Sequence, residues 1–242
     1  MPQLAERDLR IQLAKHLLCV IQKETPSRIA ATYISSLFDC YAKSFEKSLE
    51  NLSYQVPQLL IQAILWSQEE LCHLQRILDL GAGTGLLGEQ LKDLAPRAHI
   101  AAVDLSAEML KQAEMKGCYD ELHCADLLDH LADCTRSVSP FDLIVAADVF
   151  GYVGDLAPVF RLVYQNLDNK GLFVFSTEKP TGNETVPHYQ LQASGRVAHS
   201  HEYVLTVARE HGFKVLRDWS CELRAEDGHP VLGHVFSLSC AL

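Results

Sequence analysis

The sequence feature that most constrains the fold is residues 77–87, which read ILDLGAGTGLL. A short apolar run carrying one carboxylate, Asp79, passes into a loop with alternate glycines, Gly81, Gly83 and Gly85. Glycine tolerates positive φ and lets a ligand approach the backbone, while N–H groups at the start of a following helix point into the same gap. The segment therefore predicts a strand, a loop and a helix that together bind a nucleoside cofactor.

Two frames of these glycines predict different cofactors. Gly83, Gly85 and Gly88 also have the spacing of the dinucleotide fingerprint. That frame would bury Asp79 and Gly81 inside a core parallel strand, where a charge and a flexible residue are both unfavourable. In the earlier frame Asp79 lies at the carboxyl end of the strand and faces the cleft, as a ligand with an ammonium and a sulfonium group requires. The earlier frame is favoured, and it indicates S-adenosylmethionine.

Carboxylates also close the next two apolar runs. Residues 100–104 read IAAVD and end at Asp104, and a carboxylate at the end of strand two can accept both ribose hydroxyls. Asp126 falls at the predicted end of strand three. There it would accept from an adenine amino group, while the N–H of Leu127 meets a ring nitrogen. The order and spacing of Asp79, Asp104 and Asp126 form the combined signal.

On these residues the chain resembles class I S-adenosylmethionine-dependent methyltransferases. The resemblance spans residues 76–177 and rests on DLGAGTG at 79–85, VDLS at 103–106, ML at 109–110, ADL at 125–127 and FDLI at 141–144. It implies that the glycine loop holds the methionine part of the cofactor, the strand-two acid the ribose, and the residues after strand three the adenine. The implied cofactor contacts are Tyr41, Asp79, Gly81, Ala82, Gly83, Gly85, Asp104, Leu105, Met109, Ala125, Asp126, Leu127 and Ala147.

A narrower resemblance, over residues 16–238, is to the catalytic part of bacterial methyltransferases that often carry tetratricopeptide repeats. It rests on LFDCYA at 37–42, YQVP at 54–57, ADVFGY at 147–152 and RVAHS at 196–200. No period of about 34 residues is visible in this chain, so a repeat-mediated partner is not implied. Substrates of those relatives are mostly undefined.

The whole pattern predicts a Rossmann-like α/β fold. Strands are predicted at 76–80, 99–104, 119–124, 142–147, 171–177, 215–220 and 231–238, and helices alternate with them as in right-handed parallel crossovers. By the resemblance, the seven-stranded sheet is mostly parallel, with helices on both faces and an antiparallel last strand. This methyltransferase domain covers residues 53–242. It opens with a helix predicted from residue 58 to residue 74, and a later turn is predicted at residues 228–230.

Residues 1–52 predict an N-terminal helical extension. Apolar residues at 9, 13, 17 and 21 trace one helical face, and a second predicted helix carries apolar residues from Tyr33 to Phe45. Two interpretations are open for this second helix. Its apolar stripe packs against the core, or its aromatic residues form a lid over the cofactor cleft, as the resemblance supports.

Residues 178–199 form a predicted substrate-side insertion, with a possible hairpin that turns at Ser194-Gly195. Ligands of open α/β sheets bind outside the carboxyl ends of the strands, so this insertion and the residues after strand four should wall the acceptor pocket. Methyl transfer from a sulfonium depends mostly on positioning, and a base matters only for a protonated acceptor. The candidate catalytic residues are Asp148, Tyr152 and His199. The structural alternatives are a cap of the following turn for Asp148, cofactor packing for Tyr152 and a bond to the backbone near Ser200 for His199.

The composition of the chain limits which binding partners are expected. A net charge of −10 and a pI near 5.5 disfavour a broad phosphate-binding surface, and with it a nucleic-acid partner. No apolar run is long enough to span a bilayer and no signal core is visible, so a cytoplasmic protein without membrane contact is expected. The eight cysteines include no Cys-x-x-Cys, and Cys118, His123 and Cys124 lack a second paired set. Free thiols and no metal site are therefore expected.

The end of strand four reads AADVF, which differs from the Asn-Pro-Pro-aromatic signature of adenine and glutamine methylation. The first hypothesis is accordingly a methyltransferase for a small organic molecule, with an oxygen, nitrogen or carbon nucleophile. The alternatives are methylation of a protein or RNA docked on the N-terminal helices, a non-catalytic S-adenosylmethionine-binding protein, and a dinucleotide oxidoreductase.

Overall fold

The computed structural model describes residues 2–67, 74–137, 139–181, 186 and 188–240. Its nine strands are β1 Arg76–Leu80, β2 His99–Asp104, β3 Glu121–Cys124, β4 Phe141–Ala146, β5 Leu167–Glu178, β6 Tyr189–Leu191, β7 Val197–His199, β8 Phe213–Glu226 and β9 His229–Cys240. Its α-helices are α1 Pro2–Gln22, α2 Ala31–Tyr41, α3 Phe45–Asn51, α4 Val56–Ser67, α5 Leu86–Leu94, α6 Ala107–Lys116, α7 Leu127–Ser137, α8 Ala157–Asn166 and α9 His201–Glu210.

Seven of these strands form one sheet in the order β3-β2-β1-β4-β5-β9-β8. Strands β1 to β5 pair in parallel, and β9 pairs antiparallel with both β5 and β8. The central strands are runs of Ile, Leu, Val and Ala that are buried on both faces, because helices cover both sides of the sheet. The predicted fold class, including the antiparallel last strand, is confirmed.

The strand bounds predicted from the sequence agree with the structure at both ends of β1 and β2. The last two predicted strands are shorter than β8 and β9. Strands β8 and β9 run for 14 and 12 residues. They are joined by Asp227 and Gly228, both at positive φ, as in the tight two-residue hairpin turns that Asp-Gly favours. The prediction of a turn at 228–230 is therefore wrong by about one residue or two, because the turn lies at Asp227-Gly228 and His229 and Pro230 already belong to β9.

Two helix predictions also need correction. The second helix does not run on to Phe45: α2 ends at Tyr41, the N–H of Ser44 closes a turn on the carbonyl of Tyr41 at 2.9 Å, and α3 begins at Phe45. The helix predicted from residue 58 to residue 74 runs from Val56 to Ser67, and residues 68–73 lie outside the described residues.

The sheet positions a cleft at the carboxyl ends of β1, β2 and β4, where the strand order reverses. The N-terminal extension attaches to this same edge. Asp39 on α2 accepts hydrogen bonds from the Ser106 hydroxyl at 2.5 Å and the Glu108 N–H at 3.2 Å, at the start of α6. The N–H of Ile29 donates to the carbonyl of Tyr152 at 3.1 Å. In the part of the chain that is described, no helix combines the length and apolarity needed to cross a membrane.

Candidate active site

The glycine loop begins directly after β1. Gly81, Gly83 and Gly85 have φ of 69°, 55° and 86°, a left-handed backbone conformation that residues with a side chain rarely adopt. A Cβ on Gly81 would lie 2.5 Å from Cγ2 of Val149, so this position has no room for a side chain. Because Gly81 is the first residue after the strand, the earlier glycine frame is confirmed.

Asp79 is buried at the end of β1, with 1% of its surface exposed. Its Oδ2 accepts a hydrogen bond from the Tyr119 hydroxyl at 2.6 Å, and its Oδ1 has no partner among the described residues. Burial raises the pKa of Asp79 to about 7. A Cβ on Gly88 would lie 2.2 Å from Cζ of Tyr119, so the last glycine of the rejected frame makes room for the partner of Asp79.

Asp104 organises the loop from the end of β2. Its Oδ2 accepts from the N–H of Gly83 and its Oδ1 from the N–H of Ser106, both at 2.8 Å. Burial raises the pKa of Asp104, and these N–H groups oppose the shift. Each carboxylate oxygen keeps a further lone pair, so the side chain can still accept ribose hydroxyls.

Asp126 follows β3 and is held from two sides. Its Oδ1 accepts from the N–H of Leu128 at 2.8 Å, and its Oδ2 forms an ion pair with Arg28 of the N-terminal extension. Arg28 lines the main cavity, and sequence reasoning missed it because 98 positions separate the partners.

A cavity of about 250 Å³ lies in the cleft. Its walls include many of the predicted site residues: Gly81, Gly83, Asp104, Leu105, Met109, Ala125, Leu127, Ala147, Asp148 and Tyr152. A smaller lobe of about 50 Å³ adjoins it and is lined by Asp79 and Ala82, with Gly81, Gly83 and Ala147 shared between the two. Four predicted residues line neither space: Tyr41, Gly85, Asp126 and His199. Tyr41 is 49% exposed, and Gly85 caps α5.

His199 is fully buried in β7, away from the cavity lining. Its Nε2 lies 2.9 Å from the carbonyl of Val153 and 3.1 Å from that of Gly154, and burial lowers its pKa to about 4. A neutral imidazole thus donates to backbone as the structural alternative expects, but at Val153 and Gly154 and not near Ser200. Within the described ranges, no group of three or more His, Cys, Asp or Glu side chains is arranged to hold a metal ion.

The acceptor end of the cavity contains a buried ionic network that the sequence did not reveal. Asp148 has φ of 60° and is held by Arg196 Nη2 at 2.6 Å and Arg224 Nη1 at 3.3 Å. Glu178 Oε1 accepts from Arg224 Nη2 at 2.7 Å and from Arg196 Nε. Arg196 Nη1 also donates to the Tyr152 hydroxyl at 2.7 Å. Burial raises the pKa of Asp148 against the opposing effect of both guanidinium groups.

Aromatic residues of the extension cover this end. Phe38 on α2 and Phe45 on α3 line the cavity, and the Phe38 ring meets the Tyr152 ring edge-on at 5.5 Å between centroids. Phe38 and Phe45 are themselves in edge contact at 6.0 Å. The aromatic residues of the N-terminal extension therefore pack against one another and also form one wall of the cleft. Packing and covering the cleft, the two interpretations of the apolar stripe, are compatible.

The strand order, the glycine loop and the strand-end carboxylates define the class I S-adenosylmethionine-dependent methyltransferase fold. Residues 78–173 match the family model described as a methyltransferase domain. A methyltransferase structure from Clostridium acetobutylicum superposes with a TM-score of 0.58 at 18% identity, covering 86% of this chain and 98% of that one. The magnesium protoporphyrin IX methyltransferase of Synechocystis with bound SAM gives 0.55 at 15% identity, covering 76% and 79%.

Sequence relatives match a shorter region. A malonyl-[acyl-carrier protein] O-methyltransferase of Bacillus cereus is 35% identical over 112 residues, which are 46% of this chain and 39% of that protein. The chain thus matches well under two thirds of the length of such curated relatives.

Proposed function

We propose that the protein is an S-adenosylmethionine-dependent methyltransferase that acts on a small organic molecule. The observation that carries this proposal is the unpartnered Oδ1 of Asp79, a buried carboxylate oxygen beside a glycine loop. A buried acceptor without a partner is costly, and an ammonium group of the cofactor would satisfy it.

The other residues around the cleft fit the same cofactor. Asp104 would accept the ribose hydroxyls, and Met109 and Leu127 would pack on the base. Asp126, tied to Arg28, would accept from the adenine amino group through a remaining lone pair. When bound, the cofactor supplies an electrophilic methyl group on sulfur.

Catalysis in this proposal is mainly positioning. Alignment of reactants alone is worth effective molarities of about 10⁵–10⁸ M. Asp148 and Tyr152 border the space for the acceptor, and both are oriented by Arg196. This proposal gives His199 no proton-transfer role, because its Nε2 is held by backbone carbonyls and the residue lies outside the cavity lining. An oxygen nucleophile is favoured because similar proteins, such as the malonyl-[acyl-carrier protein] O-methyltransferase of Bacillus cereus, are O-methyltransferases.

The resemblance to repeat-associated relatives, a cytoplasmic location and a protein partner on the N-terminal helices stay predictions. The domain limits, 1–52 and 53–242, and the roles of individual site residues stay predictions as well.

Calorimetric titration with S-adenosylmethionine, S-adenosylhomocysteine and NAD tests the proposal. We expect micromolar binding of the two adenosyl ligands and no heat from NAD. Binding of NAD alone would mean that the dinucleotide frame governs the site after all. Binding of the adenosyl ligands with no turnover of any acceptor would favour the non-catalytic alternative.

A further inference from the structure

The polar end of the cavity is rich in hydrogen-bond donors. Arg196, after the insertion hairpin turn, and Arg224, in β8, both line it, and Arg224 is only 3% exposed. Tyr54 lines this cavity as well as the small lobe beside Asp79. The Tyr54 side chain therefore borders the junction between the cofactor end and the acceptor end, where a methyl group would be transferred.

The carboxylates at this end are already engaged. Asp148 and Glu178 each accept from both Arg196 and Arg224, so the four charges form a balanced set. Glu226 accepts from Arg224 Nε at 2.7 Å, but its side chain is 39% exposed at the rim. Both oxygens of Asp148 and Oε1 of Glu178 already accept hydrogen bonds from guanidinium groups, so these oxygens are occupied and do not face a hydroxyl as free acceptors. The described part of the cavity thus offers no free base for a neutral hydroxyl.

Donors remain after these bonds are formed. A guanidinium carries five N–H groups. In Arg224, Nε bonds to Glu226 and Nη1 contacts both oxygens of Asp148, while the bond of Nη2 to Glu178 leaves one N–H of Nη2 unused. Arg196 likewise uses one N–H of Nη1 for Tyr152. Tyr54 lines the same cavity and carries a hydroxyl that can donate. These remaining donors suit an anionic oxygen, which accepts hydrogen bonds, and they offer nothing to a protonated amine, which only donates.

We propose that Tyr54, Arg196 and Arg224 bind a carboxylate, so that the acceptor is a carboxylic acid and the product its methyl ester. This rests on the proposed function. A carboxylate is ionised at neutral pH, with a pKa of about 4, and needs no base. One carboxylate oxygen forms a bond to the methyl carbon as the carbon–sulfur bond breaks, and that electron pair goes to sulfur. No proton moves, and the positive charge of the sulfonium and the negative charge of the carboxylate cancel.

The rest of the acceptor would be apolar. Phe38, Phe45, Leu49 and Leu52 line the same cavity from the N-terminal extension. A hydrocarbon or aromatic body against these side chains gains about 25 cal/mol for each Å² of apolar surface buried. The chemical class is therefore a monocarboxylic acid with an apolar body.

The test uses the whole chain, tritium-labelled S-adenosylmethionine and matched acceptors. These are octanoate and phenylacetate against octanol, phenylethanol and octylamine. We expect the acids to be labelled faster by about tenfold or more, since only they pair with the guanidinium groups. Mild alkali should release the label as volatile methanol, which only a methyl ester gives. Faster labelling of an alcohol or amine, an alkali-stable product, or no labelled acid from protein that binds S-adenosylmethionine would overturn the proposal. Failure of cofactor binding would instead refute the proposed function.

Two conservative variants separate recognition from structure. Arg196→Lys keeps the charge and loses the planar fork, and Tyr54→Phe loses only the hydroxyl. Each should raise KM for the acid by about tenfold while the affinity for S-adenosylhomocysteine stays unchanged. Arg209→Lys, at a side chain that is 62% exposed on α9, is the matched control. An unchanged KM in both test variants, with or without a lower melting temperature, would show that these groups serve the fold alone.

Discussion

The two ends of the cleft are built in opposite ways. At the cofactor end, Asp79 and Asp104 come from neighbouring strand ends, and Asp104 bonds to backbone N–H groups of nearby loops. At the acceptor end, Asp148 and Glu178 both bond to Arg196 and Arg224. Arg196 lies 48 positions from Asp148, and Arg224 lies 46 positions from Glu178. At the cofactor end, backbone N–H groups hold Asp104, and Asp79 and Asp126 each bond to a single distant side chain, Tyr119 and Arg28. At the acceptor end, each carboxylate is held by two guanidinium groups from separate parts of the chain.

This difference bears on what each end can change. A backbone-based site keeps its shape when surface side chains vary, and the cofactor it binds does not change with the acceptor. An ionic network can be altered by one substitution, because each buried charge relies on the others. In the proposed function, the acceptor end would set the specificity, and a substitution there is expected to cost more free energy of unfolding.

The largest effect should come from breaking the network. Arg224→Met leaves Glu178 and Asp148 with one guanidinium in place of two, and removing one partner of a buried pair typically costs about 3–5 kcal/mol. We expect a loss of that order in the free energy of unfolding, measured by urea denaturation. Arg217→Met, at an exposed arginine of the same strand, is the control and should cost far less. Equal stability of the two variants would mean that the acceptor end is no more fragile than the surface.

The cofactor end should respond in affinity instead. Asp104→Ala would remove the two charge-assisted hydrogen bonds that we propose for the ribose, and we expect S-adenosylmethionine binding to weaken by about 2–4 kcal/mol in calorimetry. Asp120→Ala is a matched control, because Asp120 also accepts from a backbone N–H, that of Ile100 at 2.8 Å, before β3. An unaltered affinity in Asp104→Ala would remove the ribose assignment.

The contrast also explains what could be predicted from the sequence. The order of Asp79, Asp104 and Asp126 after apolar runs fixes the cofactor end, because parallel strand ends meet at one edge of the sheet. Arg28, Glu178 and Arg224 carry no such local pattern, since their partners lie far away along the chain. The turn at Asp227-Gly228 and the break between α2 and α3 depend on single-residue geometry, which periodicity does not resolve.

The pH dependence of cofactor binding tests Asp79 directly. Its raised pKa of about 7 means that part of the carboxylate is protonated near neutrality, and only the ionised form attracts an ammonium group. Affinity should therefore fall as pH decreases, by about tenfold for each pH unit well below that pKa, and level off above it. Asp79→Asn should bind weakly with a flat profile. Tyr119→Phe removes the hydrogen bond that lowers the pKa of Asp79, so its midpoint should move to higher pH. A flat profile in the unmodified protein would contradict the assignment.

The smallest effect is expected at the Arg28–Asp126 pair, where the side chains are 29% and 13% exposed and solvent weakens the attraction. Arg28→Gln should change cofactor affinity by about 1 kcal/mol or less, mainly through faster dissociation, because the pair ties the extension to the adenine end. Stopped-flow displacement of S-adenosylhomocysteine measures this rate, with Arg161→Gln on exposed α8 surface as the control. Tighter binding in Arg28→Gln would show that Arg28 competes with the adenine amino group for Asp126. The N-terminal extension would then oppose cofactor entry. The cofactor end would then depend on a distant side chain, just as the acceptor end does.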